Sequence, residues 1–249
     1  MISDPVKDGE NRRKVRVMAF IDGFNFYYSL EKIDKNGNYP YRRYKWLDYS
    51  KLVQRKLEEN EELVGTYLFT AYRTSPDKNQ YIRHMFPRYR EKTEEKWLEH
   101  RKNNENVQKR HRDYSNALKN QGVKIIEGNY QHNKMECPGC NIHYFKSEEK
   151  QTDINLCLWL FEKAYKNEYE KAVIVSADSD LLSGYYSMKR NFPTIDVVFL
   201  FPIERDFFKI REKVTNYYTI NERDLALSQL PDVVTLQNGK KLKRPLTWV

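Results

Sequence analysis

Runs of apolar residues between polar segments predict strands that alternate with helices. A continuous apolar run is typical of a buried parallel strand, because helices cover both of its faces. The predicted strands are residues 15–21, 64–72, 123–127, 172–176, 195–201 and 217–220. The predicted helices are about residues 26–30, 48–57, 152–165, 180–189 and 207–213. The alternation indicates an α/β fold with one doubly wound, mostly parallel sheet.

The polar residues that end the strand at 172–176 form the first candidate site. Asp178 and Asp180 lie one residue apart, directly after this strand and before the next helical pattern. Open α/β sheets bind their ligands at the carboxyl ends of the strands. Asp also caps helices, so this edge alone is weak evidence for a binding site.

Three further polar residues are placed by the same pattern. Asp22 ends the first strand and Asn25 follows it, whereas Asp153 lies in the first turn of the helix at 152–165. Each also has an ordinary role, since Asn caps helices and a carboxylate favours the positive end of a helix dipole. If the first strand and the strand at 172–176 are neighbours, these side chains meet at one crevice.

Four carboxylates in one crevice predict a bound cation. Like charges raise one another's pKa, so Asp22, Asp153, Asp178 and Asp180 are costly to place together without a neutralising ion. Oxygen ligands without His or Cys suit Mg²⁺ or Mn²⁺. In a basic chain such a site predicts phosphodiester hydrolysis, in which the metal activates a water and stabilises charge on the phosphate oxygens. Asn25 would orient a phosphate or the bound water.

The net charge indicates the class of partner. The 249 residues include 44 Lys and Arg against 35 Asp and Glu, a formal charge of +9. This excess favours nucleic acid, because bound phosphates release counterions, and simple solubility is the alternative interpretation. We find no run of 18 apolar residues and no signal-peptide pattern at the N-terminus. We therefore expect a cytoplasmic protein with no membrane partner.

Three short motifs together resemble the signature of the NYN domain family of PIN-like ribonucleases, in its LabA-like branch. They are IDGFN at residues 21–25, KQTD at 150–153 and VSADSD at 175–180, in the family's order and separations. The resemblance spans about residues 15–222. It implies a Rossmann-like PIN fold, with a mostly parallel sheet flanked by helices, and metal-dependent cleavage of RNA.

The resemblance also assigns roles to residues within these motifs. Those that would bind the metal or support it are Asp22, Asn25, Lys150, Asp153, Ser176, Asp178 and Asp180. Ala177 departs from the family pattern, which usually has Gly at this position. The resemblance therefore does not establish that this loop is as tight as in the family.

The chain divides into a loose basic arm at residues 1–14, a nuclease domain at 15–230 and a basic tail at 231–249. Within the domain, residues 76–120 are polar, charged and helical in propensity, and form an insertion longer than a minimal NYN domain needs. The ordinary interpretation is that most of these charges lie on a solvated helix face. The functional alternative is that they form a basic rim that binds nucleic acid.

A second group of residues predicts structural zinc. Cys137 and Cys140 flank Pro-Gly, and two thiolates at this spacing can hold one tetrahedral ion. His132 and His143 would complete a Cys₂His₂ knuckle within residues 130–145 and fix the loop that carries Lys150 and Asp153. A redox pair is the main rival, although such motifs open a helix after a strand and this pair lies in a polar loop. Thiols that only fill a turn are the third interpretation.

Aromatic and basic residues alternate over residues 39–46 and predict contacts to single-stranded RNA. Rings stack on unpaired bases while cations neutralise phosphates. Packing of these rings in the core is the alternative. The residues predicted to contact RNA are Arg42, Arg43, Lys45, Arg73, Lys150 and Ser176.

The sequence thus predicts an Mg²⁺- or Mn²⁺-dependent endoribonuclease for single-stranded or loop RNA, acting alone, as a homodimer or in a defence or RNA-processing complex. A non-catalytic RNA-binding or adaptor protein on the same fold is the main alternative, against which the four filled acidic positions argue. A haloacid-dehalogenase phosphatase is disfavoured, because Asp22-Gly23-Phe24 lacks the Asp-x-Asp pair. A DNA-directed flap nuclease stays open, because no residue identifies a 2′-OH contact.

Overall fold

The computed structural model describes residues 13–205 and 207–248. The strands in these ranges are β1 (Val15–Asp22), β2 (Glu61–Thr70), β3 (Lys124–Glu127), β4 (Asn129–Glu136), β5 (His143–Lys150), β6 (Lys171–Val175), β7 (Asp196–Phe201), β8 (Asn216–Thr219), β9 (Val233–Thr235) and β10 (Lys241–Lys243). The α-helices are α1 (Gly23–Leu30), α2 (Tyr49–Gln54), α3 (Lys78–Tyr89), α4 (Thr93–Asn120), α5 (Thr152–Tyr165), α6 (Leu182–Asn191), α7 (Phe208–Arg211) and α8 (Glu222–Leu227).

Six strands form one parallel sheet in the order β3-β2-β1-β6-β7-β8. The chain builds outward from β1 to β3, returns to the middle at β6 and builds outward again to β8. The order therefore reverses between β1 and β6, and an open sheet has its ligand crevice at such a reversal. The predicted α/β fold, a mostly parallel sheet flanked by helices, is confirmed.

Two apolar cores lie on opposite faces of this sheet. Side chains of β1 alternate between them, since Ala19 and Ile21 belong to one core and Phe20 to the other. Helices α1, α2, α4 and α8 cover the first face, and α5, α6 and α7 cover the second. Helices on both faces explain why the strands are continuously apolar.

Gly23 fixes the position of α1 at the carboxyl edge of the sheet. A Cβ atom built on this residue would lie 2.7 Å from the carbonyl oxygen of Phe69 in β2. Only glycine allows this close approach between the start of α1 and the neighbouring strand. The turn after Asp22 is held in place as a result.

The charged segment at 76–120 is helical, as predicted, and folds into α3 and α4. These helices enclose a small cluster of Tyr81, Met85 and Trp97, against which Phe145 of β5 packs. The Cys/His segment is a hairpin of β4 and β5 rather than a loop, with a turn between them. The insertion and the hairpin therefore pack against each other.

The basic tail predicted at residues 231–249 is, over the residues described up to 248, folded onto the domain. Strands β9 and β10 form an antiparallel hairpin, and Val234, Leu242 and Trp248 are buried in the first core. The sequence gives little sign of this, because the apolar runs in the segment are only one or two residues long. The predicted arm at 1–14 falls mostly outside the described residues, and Arg13 forms an ion pair with Glu170.

Candidate active site

Asp22 lies at the end of β1, beside the carboxyl end of β6. It is only 4% exposed. One carboxylate oxygen accepts a hydrogen bond from the Asn25 amide at 2.9 Å, which caps α1. The other accepts a hydrogen bond from the Ser176 hydroxyl at 2.8 Å. Asp22 is therefore both a helix cap and a buried anion at the reversal of strand order.

Asn25 joins the loops that follow three strands of the sheet. Its side-chain oxygen accepts a hydrogen bond from the Ala177 amide at 3.0 Å. Its carbonyl accepts two hydrogen bonds from the Arg205 guanidinium, at 3.1 and 3.0 Å. Ala177 has no left-handed backbone angle, so alanine serves here where the family usually has glycine.

Asp178 begins the turn after β6. Its side chain accepts a hydrogen bond from the Asp180 amide at 2.9 Å, and its own amide donates to the Ser176 hydroxyl at 3.0 Å. Ser176 is fully buried, and its hydroxyl links Asp22 to Asp178 through these hydrogen bonds. Asp180 is exposed on the following 3₁₀ turn, Ser179–Leu181.

Asp153 lies in the first turn of α5, where the sequence placed it. The helix starts from Gln151, which has a left-handed φ of 77° and makes no side-chain capping hydrogen bond. Glu149 of β5 accepts hydrogen bonds from the amide and hydroxyl of Thr152, the first residue of the helix. This arrangement brings a fifth carboxylate to the site.

The carboxylates act on one another electrostatically. Burial, together with the charges of Asp22, Glu149, Asp178 and Asp180, raises the pKa of Asp153 to about 7. Burial also raises the pKa of Asp22 to about 6, although its hydrogen bonds from Asn25 and Ser176 act in the opposite direction. The other three predicted aspartates therefore lie within electrostatic reach of Asp153.

These residues have the chemistry of a magnesium or manganese site, since they offer only oxygen ligands. As placed, no three His, Cys, Asp or Glu side chains come close enough to hold an ion anywhere in residues 13–205 and 207–248. Like charges that are not neutralised repel one another, so a divalent cation would draw them together. The carboxylate oxygens suit such an ion chemically. Their side chains must move closer together to coordinate it.

Two charged residues at the site were missed by the sequence analysis. Glu149 was overlooked because it precedes the KQTD motif and lies in a strand that was not predicted. Arg205 follows β7, far along the chain, and its charge lies within electrostatic reach of Asp22 and Asp178. A basic residue after the strand next to β6 is the signal that could have found it, because neighbouring parallel strands end at the same edge.

The predicted zinc quartet is only partly brought together. The Gly139 amide and the Cys140 thiol lower the pKa of the Cys137 thiol, so the two cysteines are in contact. His132 lies five residues before Cys137 along an extended strand, which separates them by about 16 Å. It forms hydrogen bonds of 2.9 Å with Thr74 and Ser147 instead. His132 is therefore not a partner of the cysteine pair.

His143 lies at the start of β5 and faces an unpredicted histidine. Its Nδ1 atom is 3.4 Å from Nδ1 of His84 in α3, and the rings meet edge to face. His84 also contacts the carbonyls of Met135 and Tyr144 at 3.0 Å. These histidines attach the hairpin to the helical insertion.

The last three residues of the segment at 39–46 are buried, and the first five are exposed or partly exposed. Trp46 is fully buried, and the Lys45 side chain is 3% exposed and ion-paired with Glu31. The prediction that Lys45 contacts RNA is therefore wrong. Arg42 and Arg43 are partly exposed and pair with Glu31 and Glu222, both at 2.8 Å. They stack on tyrosine rings of their own segment.

The two remaining basic candidates differ in position. Arg73 is exposed after β2, and no ion pair to it is found among the described residues. Lys150 ends β5 and forms a 3.0 Å ion pair with Glu148. Because side chains alternate along a strand, Lys150 lies on the opposite face from Glu149 and so away from the acidic crevice.

The family model of the NYN domain matches residues 16–200. The chain belongs to the NYN domain family. NYN domains are PIN-like and are generally ribonucleases, so the family supports a nuclease or RNA-related function. In addition, no helix among the described residues is long and apolar enough to cross a membrane.

Two individual proteins resemble this NYN chain. A 6-hydroxy-3-succinoylpyridine 3-monooxygenase, HspA, from Pseudomonas putida is 24% identical over 257 aligned positions, which cover 94% of this chain and 75% of that protein. A solved structure of a protein of unknown function, VPA0982, from Vibrio parahaemolyticus matches with a TM-score of 0.50 and 14% identity. That match covers 89% of this chain and 99% of the other, and it supports the fold alone.

Proposed function

We propose that this NYN protein is an Mg²⁺- or Mn²⁺-dependent endoribonuclease that hydrolyses phosphodiester bonds in single-stranded or loop RNA. The observation that carries the proposal is the gathering of Asp22, Asp153 and Asp178 at the reversal of strand order, where burial and mutual repulsion raise the pKa of Asp153 to about 7. Such crowding is unfavourable in the free protein and becomes favourable when a cation binds.

The four aspartates would hold the ion, with Glu149 beside them. When bound, the ion supplies an activated water and stabilises charge on the phosphate oxygens. Ser176 and the Asn25 amide hold the Asp22 carboxylate in one orientation. Arg205 provides a fixed positive charge at the crevice, held by the Asn25 carbonyl.

The wider elements of the proposal concern partners and surroundings. Arg73 is the best placed phosphate contact, because it is exposed and is not ion-paired within the described residues. Arg42 and Arg43 would contact RNA only by exchanging their carboxylate partners for phosphates. Assignment to the LabA-like branch, a cytoplasmic location, and action as a homodimer or in a defence or RNA-processing complex stay predictions.

Zinc binding by Cys137 and Cys140 also stays a prediction, with a structural role in the β4–β5 turn. The two thiols are in contact, as a shared ion requires, and His143 begins the strand on the other side of the turn. Elemental analysis of the wild type and Cys140→Ser tests it. Equal zinc content in the two proteins would contradict the assignment.

The second candidate is a non-catalytic RNA-binding or adaptor protein on the same fold. It is favoured by the separation of the ligands, because no three of them lie close enough to hold an ion as placed in residues 13–205 and 207–248. The two candidates share the basic charge and the fold, and they differ in whether RNA is cut.

The test is cleavage of an end-labelled single-stranded RNA, and of DNA with the same sequence, in Mn²⁺, in Mg²⁺ and in EDTA. We expect internal cuts in RNA that need the cation and disappear in Asp22→Asn. Binding of RNA without cleavage in either cation would favour the adaptor. Preferential cleavage of DNA would replace the RNA substrate with a DNA one.

A further inference from the structure

A cavity of about 340 Å³ opens beside the acidic crevice. Its walls come from α1, the end of β2, helix α4 of the insertion and the β4–β5 hairpin. Pockets that bury a small ligand have volumes of roughly 300–1,000 Å³. This cavity is at the small end of that range, which suits one planar group with its sugar and excludes a folded oligonucleotide.

The lining is aromatic and polar, with few aliphatic side chains. Tyr27, Tyr28 and Tyr130 contribute rings and hydroxyls, and His111 contributes an imidazole. Tyr28 is 54% exposed and packs edge to face against Tyr27, with ring centroids 5.7 Å apart. An exposed ring beside an open cavity offers a stacking surface for a flat ligand.

Two features place the cavity next to the acidic crevice. Gly23 and Phe24, which line it, directly follow Asp22 in the chain. Tyr130 is paired with Glu149 in the hairpin register, so both side chains lie on the same face. A ligand in the cavity would thus contact residues that directly neighbour Asp22 and Glu149.

Arg73 places a positive charge at the cavity mouth. Its charge reaches Tyr27, Tyr130 and His100, which line the cavity. The same arginine borders a second, more open cavity of about 440 Å³, where Trp97 and Arg101 also lie. A ligand with a flat group in the first cavity could therefore place an anionic group against Arg73. A nucleotide, with its base and its phosphate, has this combination.

We propose that the first cavity is a pocket for one nucleobase of the bound RNA, turned out of the strand next to the phosphate at the acidic crevice. The base stacks on Tyr28 and Tyr130, and the backbone passes Arg73 toward the second cavity. The proposal rests on the proposed function for the identity of the strand. The binding it predicts needs no cleavage and no cation.

The decisive variants fill the pocket or remove its stacking surface. Val107 lies half-buried on α4 and faces the cavity, so Val107→Trp puts an indole into the space and Val107→Ala leaves it open. Tyr28→Ala removes an exposed ring and leaves the core intact. Thermal unfolding by circular dichroism checks that each variant folds.

The probes are the four nucleoside 5′-monophosphates, with ribose 5-phosphate as the ligand that lacks a base, titrated in EDTA by calorimetry. We expect at least one nucleotide to bind about tenfold or more tightly than ribose 5-phosphate. Val107→Trp and Tyr28→Ala should each remove this advantage, and Val107→Ala should keep it. Equal binding of all four nucleotides and ribose 5-phosphate, or nucleotide binding unchanged in folded Val107→Trp and Tyr28→Ala, would overturn the pocket.

Failure of the nuclease and failure of the pocket give different results. If the chain binds RNA without cutting it, base-dependent binding in EDTA persists and the pocket stands. If RNA is cut but no nucleotide binds better than ribose 5-phosphate, the nuclease stands and the pocket is wrong. Cleavage of RNA with a single abasic position adds a check, since we expect loss of the cuts adjacent to that position only.

Discussion

The Ser176 hydroxyl donates a hydrogen bond of 2.8 Å to Asp22, and so joins the ends of β6 and β1. The same oxygen accepts a hydrogen bond from the Asp178 amide at 3.0 Å. One buried hydroxyl therefore orients two of the proposed metal ligands. The two motifs that contain these residues are 154 positions apart in the chain and are adjacent only because β1 and β6 pair.

Ser176→Ala tests this link. We expect a loss of about 1–3 kcal/mol in the free energy of unfolding, because the variant leaves a buried carboxylate oxygen and a backbone amide without a partner. Cleavage should fall about tenfold and need more Mn²⁺ for half-maximal rate, since the ligands are less well oriented. Urea unfolding and a Mn²⁺ titration of the cleavage rate measure the two effects.

The control is Ser187→Ala, because Ser187 lies on α6 and outside the crevice. This variant should change neither the free energy of unfolding nor the Mn²⁺ dependence of cleavage. A Ser176→Ala protein with the wild-type Mn²⁺ requirement would show that the hydroxyl has only a structural role.

Divalent cations should stabilise the folded protein through the same carboxylates. At pH 8, Mn²⁺ at about 100 times its dissociation constant should add about 2.7 kcal/mol to the free energy of unfolding. In EDTA, Asp153→Asn should melt higher than the wild type, because it removes one of the charges that repel each other. Its melting temperature should then respond little to Mn²⁺.

Differential scanning fluorimetry with and without Mn²⁺ measures both effects. Equal cation-induced shifts in the wild type and Asp153→Asn would remove Asp153 from the ligand set.

His111 predicts a loss of stability in acid. Burial, together with the charges of Lys45 and Arg110, lowers the pKa of His111 to about 4. The unfolded state therefore binds this proton first as the pH falls, so stability that is present above pH 6.5 is lost as the pH falls toward 4. The loss amounts to about 3 kcal/mol.

His111→Phe isolates this contribution, because the other titrating groups are common to both proteins. We expect the variant's free energy of unfolding to fall by about 3 kcal/mol less than that of the wild type between pH 7 and pH 4. Urea unfolding at several pH values measures the difference. Parallel profiles would mean that His111 keeps an ordinary pKa.

Trp248 tests whether the C-terminal residues belong to the domain. Its ring is 3% exposed and packs against Trp46 and Tyr114, with centroid distances of 6.3 and 5.5 Å. Trp248→Ala should cost about 3–5 kcal/mol, as large-to-small changes in a core do. Leu246→Ala is the matched control, since Leu246 is 90% exposed in the same turn. Urea unfolding of the two variants should separate them, and equal stabilities would restore the interpretation as a tail.

The parts of the fold that the sequence predicts are those with strong local patterns. Continuous apolar runs mark the strands of the sheet, and Asp22 and Asp178 end two of them, so their meeting needed only that β1 and β6 be neighbours. The hairpin of β4 and β5 escaped prediction because its strands are largely polar and exposed. A strand that packs one face against helices and leaves the other in water lacks a continuous apolar run.

Residues whose role depends on distant contacts could not be assigned from sequence. Lys45 stands in a basic, aromatic segment and looks like an RNA contact, but the neighbouring Trp46 is pulled into the core and Lys45 turns inward to Glu31. Arg205 reaches the crevice only because β7 pairs with β6. His132 is separated from Cys137 by an extended strand that the polar pattern did not reveal.

The most direct test of the account is the cleavage rate of a labelled single-stranded RNA in Mn²⁺ by Asp178→Asn, compared with Asp196→Asn. Asp178 follows β6 at the crevice, whereas Asp196 begins β7 at the opposite edge of the sheet. We predict that Asp178→Asn folds and loses cleavage by about 100-fold or more, while Asp196→Asn cuts like the wild type. Wild-type cleavage by a folded Asp178→Asn protein would contradict the assignment of the active site.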